Sequence, residues 1–229
     1  MSGVTAARIT LAVAYPFLAH WASLHGGWPV ALTLIDLVLL VLAGALARGR
    51  VWAWASTLVL VAALVAGRDA PGLPALLLAP PVAFTAFVAW CFARSLRAPR
   101  TALITKIAAA IEYDRPEDMP EAKRRYTRGL TAAWAWLLAG LALANLVLAM
   151  IAVPDGALAR LGYTAPLTVT QSQWSWFANL LNYGVIGGFF IGEYALRHRR
   201  FPQRNYRSFG GFLRRMAGLG PAFWQRLFD

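Results

Sequence analysis

The chain is poor in the residues that most chemistry uses. It has one cysteine (Cys91), three histidines, two lysines and ten acidic residues in 229. A single cysteine excludes an internal disulfide and a cysteine-based metal cluster. Only 14% of the residues are charged and 59% are hydrophobic, against about 25% and 45–50% in soluble domains. That excludes an ordinary soluble enzyme, a disordered chain and a disulfide scaffold. There is no P-loop, no G-x-S-x-G, no H-E-x-x-H and no dinucleotide glycine motif. His20 and His25 fall at one end of the hydrophobic segments and His198 at the other. No histidine-based metal or nucleophilic site is expected, and no cofactor. What is present is hydrophobic length and positive charge, 22 Lys and Arg against 10 Asp and Glu, a net charge of +12. The expectation is an all-α, polytopic membrane protein.

The charges mark the spans. A helix needs about 20 apolar residues to cross a bilayer. Six charge-poor stretches meet that need: 9–24, 28–47, 51–67, 74–93, 130–153 and 174–196. They form one transmembrane domain, 1–196, with a cytoplasmic segment at 94–129 and a basic tail at 197–229. A cleaved signal peptide is the alternative for the first stretch, with Arg8 before the apolar run Ile9 to Ala19. His20, Trp21 and His25 crowd the place of a small-x-small cleavage site, so the segment reads as retained. With the N-terminus inside, 20 of the 22 Lys and Arg fall on the cytoplasmic side, and only Arg68 and Arg160 fall outside. Translocating basic residues is disfavoured, so both termini are expected in the cytoplasm. Arginine outnumbers lysine 20 to 2, and Ala and Leu dominate. That composition suits a GC-rich bacterial genome and points to a bacterial inner membrane.

The span ends carry aromatic residues: Trp28, Trp52 and Trp54, Trp134 and Trp136, Trp174 and Trp176. These read as headgroup-level anchors, with a stacking platform for a ring-bearing ligand as the alternative. Pro80-Pro81 is expected to kink the fourth span near its middle, either as a packing kink or as a pocket wall. Gly184, Gly188 and Gly192 form tandem G-x-x-x-G motifs on one face of the sixth span. They are expected to admit a neighbouring span of the same chain, with homodimerisation as the alternative.

The cytoplasmic segment is expected to hold an interfacial amphipathic helix capped by Thr101, with Leu103, Ile104, Ile107 and Ile111 on one face. Pro116 ends that region. Pro120, at a first helical position, starts a second helix that carries Lys123, Arg124, Arg125 and Arg128 into the fifth span. In the tail, Phe209, Phe212, Leu213 and Met216 recur at helical spacing beside Arg214 and Arg215, and Phe223, Trp224, Leu227 and Phe228 form another apolar patch. Such a tail is suited to anionic lipid. Nucleic acid is not an expected partner, because topology explains the charge and no recognition motif is present.

Polar groups inside spans are functional candidates. Asp36 and His20 lie on neighbouring spans and are expected to form a hydrogen-bonded pair, with a proton relay as the alternative. Asn145, Asn179 and Asn182 are expected to bond across helices. Glu193, at the inner end of the sixth span, is followed by Tyr194 and Arg197. Arg94 closes the fourth span, and Tyr126 and Arg128 precede the fifth. These residues share one depth. They read either as an ion-pair cluster that fixes packing or as a basic pocket for a phosphate or phosphopantetheine-linked group.

The same inner ends carry a resemblance. Phe92-Ala93-Arg94-Ser95-Leu96, then Tyr126-Thr127-Arg128 with Thr131 and Trp134, then Glu193-Tyr194 with Arg197 and Phe201-Pro202 resemble the pattern of a family of bacterial inner-membrane proteins. That family is encoded among aryl-polyene and xanthomonadin-type pigment genes, beside acyl carrier proteins, ketosynthases and acyltransferases. The resemblance covers residues 90–205; the first half is similar only in being hydrophobic. It implies a pathway rather than a reaction. The ketosynthase label that some members carry finds no support here, since Cys91 lies within a span with no histidine pair to activate it.

The resulting expectation is an accessory protein of pigment-lipid synthesis, whose partners are membrane lipid and an acyl carrier protein. The alternatives are a membrane-embedded acyl or glycosyl transferase that uses Glu193 and its arginines, and a lipid transporter or flippase component. The last lacks an evident three-plus-three repeat.

Overall fold

The computed structural model describes residues 3–70, 72–113, 115–201, 209–220 and 223–224. The described chain is predominantly helical. The helices are α1 (Gly3–His25), α2 (Trp28–Ala47), α3 (Val51–Ala66), α4 (Ala79–Ser95), α5 (Leu103–Glu112), α6 (Glu121–Ile151), α7 (Ala157–Arg160), α8 (Gln171–Trp176), α9 (Asn182–Arg200) and α10 (Phe209–Gly218). Two two-residue strands, β1 (Ala152–Val153) and β2 (Val169–Thr170), pair in parallel with Ala152 opposite Val169. Three helices are long and apolar enough to cross a membrane: Trp28–Ala47, Leu73–Ser95 and Glu121–Ile151. Val51–Ala66 is apolar but shorter. In α3 only Ala53 is buried, while Leu58 is 72% exposed. A surface that apolar is unsuited to water and suited to lipid.

The prolines behave differently from the sequence expectation. Leu73–Leu78 is a 3₁₀ segment, and α4 begins at Ala79. Pro80 and Pro81 therefore stand in the first turn of α4, not at a kink in its middle. There the missing N–H groups have no intrahelical partner to lose, and the fixed φ suits helix entry. Pro120 stands one residue ahead of α6, and its carbonyl accepts from the Lys123 and Arg124 amides. Thr101 does not cap α5. Ala102 enters that helix with φ −55° and ψ 140° and no side-chain cap.

Contacts divide the described chain into two compact units. The first comprises residues 1–82 and 144–185. Gly26 and Gly27, at φ +62° and +54°, make the tight turn that lays α2 antiparallel to α1, a conformation unfavourable with a Cβ. The core of this unit joins Ala22, Val30, Leu34, Leu77, Leu78, Ala149, Ala152, Trp174 and Ala178. Thr170 and Gln173 form a capping box at the start of α8: the Gln173 amide donates to Thr170 Oγ1 (3.2 Å), and the Thr170 amide donates to Gln173 Oε1 (2.9 Å). A π segment, Phe177–Leu181, connects α8 to α9.

The second unit comprises residues 83–143 and 186–229. Ala89, Trp134 and Leu138 form its centre, with Phe92, Phe189 and Phe190 packed around them. The Trp134 ring meets Phe189 edge-on at 4.8 Å. Two expected anchors are therefore core residues, Trp134 here and Trp174 in the first unit, whereas Trp136 and Trp176 are exposed. Residues two apart on a helix point about 200° apart, so each pair puts one ring in and one out. The face of α5 also differs from the expected one. Leu103 and Ile111 are buried, together with Thr105, Ala108 and Ala109, while Ile104 and Ile107 are half-buried. Met216 of α10 and Leu219 just beyond it pack with Ile111, and Arg215 Nη1 donates to the Ile111 carbonyl at 3.4 Å. Pro202, Leu227 and Phe228 lie outside the described residues, as do the side chains of Phe209 and Phe212.

Candidate functional site

The inner-end cluster lies in the second unit. Glu193 is buried on α9. Its carboxylate accepts from the Tyr126 hydroxyl at 3.3 Å and ion-pairs with Arg197, one turn on, at 3.2 Å. Arg197 lies over the Tyr194 ring, Arg200 lies over the Tyr126 ring at 5.8 Å, and Phe201 meets Tyr126 edge-on at 5.2 Å. A buried carboxylate needs such compensation, because desolvation otherwise expels the charge. This one is met from within the chain by a cation and a phenol.

Arg94 and Arg128 do not join it, contrary to the six-residue site expected from their shared depth. Arg128 Nη2 donates to the Leu96 carbonyl at 2.7 Å, and the Arg94 guanidinium stacks over Trp90 at 5.0 Å. Shared depth does not imply a shared face. Arg94 follows Trp90 by one turn of α4 and stacks on it, while Arg128 ties the start of α6 to the end of α4. Their neighbours are threonine and serine hydroxyls. Thr105 and Thr127 bond side chain to side chain at 2.8 Å. Thr131 accepts from the Ile104 amide at 3.2 Å, and Ser95 accepts from the Leu103 amide at 3.0 Å. The first two bonds seat α5 on α6 and the third ties its start to the end of α4, so α5 is held by polar contacts within the chain.

A buried ion pair had no sequence signal. Lys123 pairs with Glu112, both side chains being under 10% exposed. The Lys123 ammonium also faces the rings of Tyr113 (5.2 Å) and Phe201 (6.0 Å). Lys123 falls inside a run of basic residues, and nothing in that run marks it as the buried one.

In the first unit, His20 does not pair with Asp36. Its Nδ1 meets Ser175 Oγ at 3.0 Å, and its ring meets Trp176 edge-on at 6.1 Å. Asp36 is buried with Oδ2 unpartnered, as is the hydroxyl of buried Tyr15, whose ionisable neighbours are Asp36 and Tyr183. The two expected partners thus face different elements of the unit. Asn179 donates to Ser175 Oγ at 3.1 Å and Asn182 to the Ala178 carbonyl at 3.5 Å. Both reach back four residues along their own segment rather than across helices, as short polar side chains readily do. Asn145 is fully buried. Gly184, Gly188 and Gly192 are exposed, and no atom of another described segment comes within 4 Å of a Cβ built on any of them. The expected close approach of a span of the same chain at these glycines is therefore absent among the described residues.

A cavity of about 210 Å³ opens beside the β1–β2 pair, lined by Met150, Val153, Leu158, Tyr163 and Thr168 among others. It is smaller than the roughly 300–1,000 Å³ of small-molecule sites. The inner-end arrangement can hold charge and fix packing. Glu193 is engaged by Arg197 and Tyr126. No protein-family model matches the chain, and neither curated proteins nor solved structures give a match.

Proposed function

We propose that the chain is a six-span protein of a bacterial inner membrane, with both termini in the cytoplasm, and that it presents a basic surface to anionic lipid headgroups as an accessory to aryl-polyene-type pigment-lipid synthesis. The observation that carries the membrane part is the agreement between charge and helices. Twenty of 22 basic residues fall in the two termini and in alternate connections between the apolar segments, and helical segments span those apolar stretches. Length and apolarity alone support three crossings. The other three rest on the charge pattern.

The lipid part is supported by what the carboxylates do. Glu193 and Glu112 are engaged inside the chain by Arg197 and Lys123, so they do not offset the exposed Arg124, Arg128, Arg199 and Arg200. Such residues favour an anionic leaflet by about 1 kcal/mol each near the surface. The pathway rests on the resemblance at residues 90–205. The engaged state of Glu193 weighs against a transferase that uses it as a general acid. Lipid and pigment profiling of a clean deletion is the test. Pigment reduced or lost from the membrane fraction is expected, and unchanged pigment in amount and location would refute the role.

A further inference from the structure

Two arginines far from the cluster above converge on a glycine. Arg8 lies on α1, and Arg48 caps the C-terminus of α2. A Cβ built on Gly44 would stand 2.6 Å from Arg8 Nη2, 3.3 Å from Arg8 Cζ and 3.6 Å from Arg48 Nη1. Gly44 is buried, while both arginines are exposed. The Arg8 guanidinium therefore lies on bare backbone that any other residue would fill. Arg48 reaches the same point from the next turn of α2.

Two like charges held this close repel each other, and an anion between them would turn that repulsion into two attractions. No carboxylate pairs with either arginine among the described residues. On its own helix the nearest acid is Asp36, eight residues or about 12 Å along α2 from Gly44. Arginine forks match phosphate oxygens, with N–H···O distances of about 2.7–2.9 Å. Two such bonds to oxygens of one phosphate span the gap between these nitrogens. Gly44 stands one turn from the end of a 20-residue apolar helix, at the depth where a phospholipid carries its phosphate.

We infer that Arg8 and Arg48 together bind one phosphate group over Gly44, either that of an anionic phospholipid or free phosphate. The inference rests on the reading of the chain as a membrane protein, but not on its orientation or pathway. The test uses the full-length protein purified in detergent. Native mass spectrometry reads phosphatidylglycerol against phosphatidylcholine in one arm, and thermal stabilisation by inorganic phosphate is read in the other. Phosphatidylglycerol retention that exceeds phosphatidylcholine and falls at least five-fold in Arg8→Gln and in Arg48→Gln identifies lipid as the source. Phosphate stabilisation lost in the same variants, without lipid preference, identifies free phosphate. Arg50→Gln, an equal charge change two residues on, is expected to retain binding, and Gly44→Leu to lose it with the charge intact. Equal binding by wild type and both arginine variants in both arms would overturn the site. An equal loss in Arg50→Gln would overturn it too, by reducing the effect to bulk charge. If Gly44→Leu fails to fold, the arginine variants still decide.

Discussion

At the scale of single residues, the buried Lys123–Glu112 pair separates charge that works inside the protein from charge that faces a surface. Removing one partner strands the other in a site less than 10% exposed. Lys123→Met or Glu112→Leu alone is expected to lower stability by about 3–5 kcal/mol, and the double substitution to recover most of the loss. Unfolding of the detergent-solubilised variants checks this, and additive losses would show that the pair is not coupled. That pair was hidden in the sequence because burial is a property of faces: Lys123 sits in the same run as the exposed Arg124 and Arg125. The inner-end site was half legible for the same reason. Glu193 and Arg197, four apart on one helix, could be joined by periodicity. The Tyr126 hydroxyl adds a partner from another helix, and Arg94 and Arg128 are drawn away by a tryptophan face and a carbonyl.

At the scale of elements, the existence of the apolar helices was the most legible feature, and for α2 its ends were too. α2 spans 28–47 as its apolar stretch, interrupted only by Asp36, does, because the charges beyond it and the Gly26-Gly27 turn mark its ends. Direction within an element was not legible. Tryptophan suits an interface and a core equally, and only packing decides between Trp134 and Trp136. Trp134→Ala is expected to cost about 3–5 kcal/mol as a core truncation. Trp136→Ala, at a position 79% exposed, is expected to stay within about 0.5 kcal/mol. Comparable losses in a paired thermal-denaturation measurement would refute this division of roles. The glycine stripe of α9 shows the converse limit, since G-x-x-x-G states that a backbone can approach and not that one does.

At the scale of the whole molecule, the charge asymmetry makes a topological statement that labelling can check. In a Cys91→Ala background, single substitutions His25→Cys, Asp69→Cys and Thr164→Cys are expected to react with an impermeant thiol reagent from outside intact cells. Ala47→Cys and Glu117→Cys are expected to react only after lysis. A swapped pattern would invert the orientation, and an alternation broken at any loop would change the number of crossings. The net charge then reads as an address rather than as the signature of an acidic partner, leaving Arg8 and Arg48 as the basic residues whose shared position over Gly44 calls for a ligand of its own.

The first unit takes its residues from two stretches, 1–82 and 144–185, and this has a consequence in time. Trp174 is 1% exposed and packs in one core with Val30 and Leu77, yet it leaves the ribosome long after them. At about 5–20 residues per second, the α1–α2 hairpin waits on the order of ten seconds for the side chain that closes its core. A newly made chain therefore leaves the apolar faces around Val30 and Leu77 unfilled on this side until α8 brings Trp174 to them.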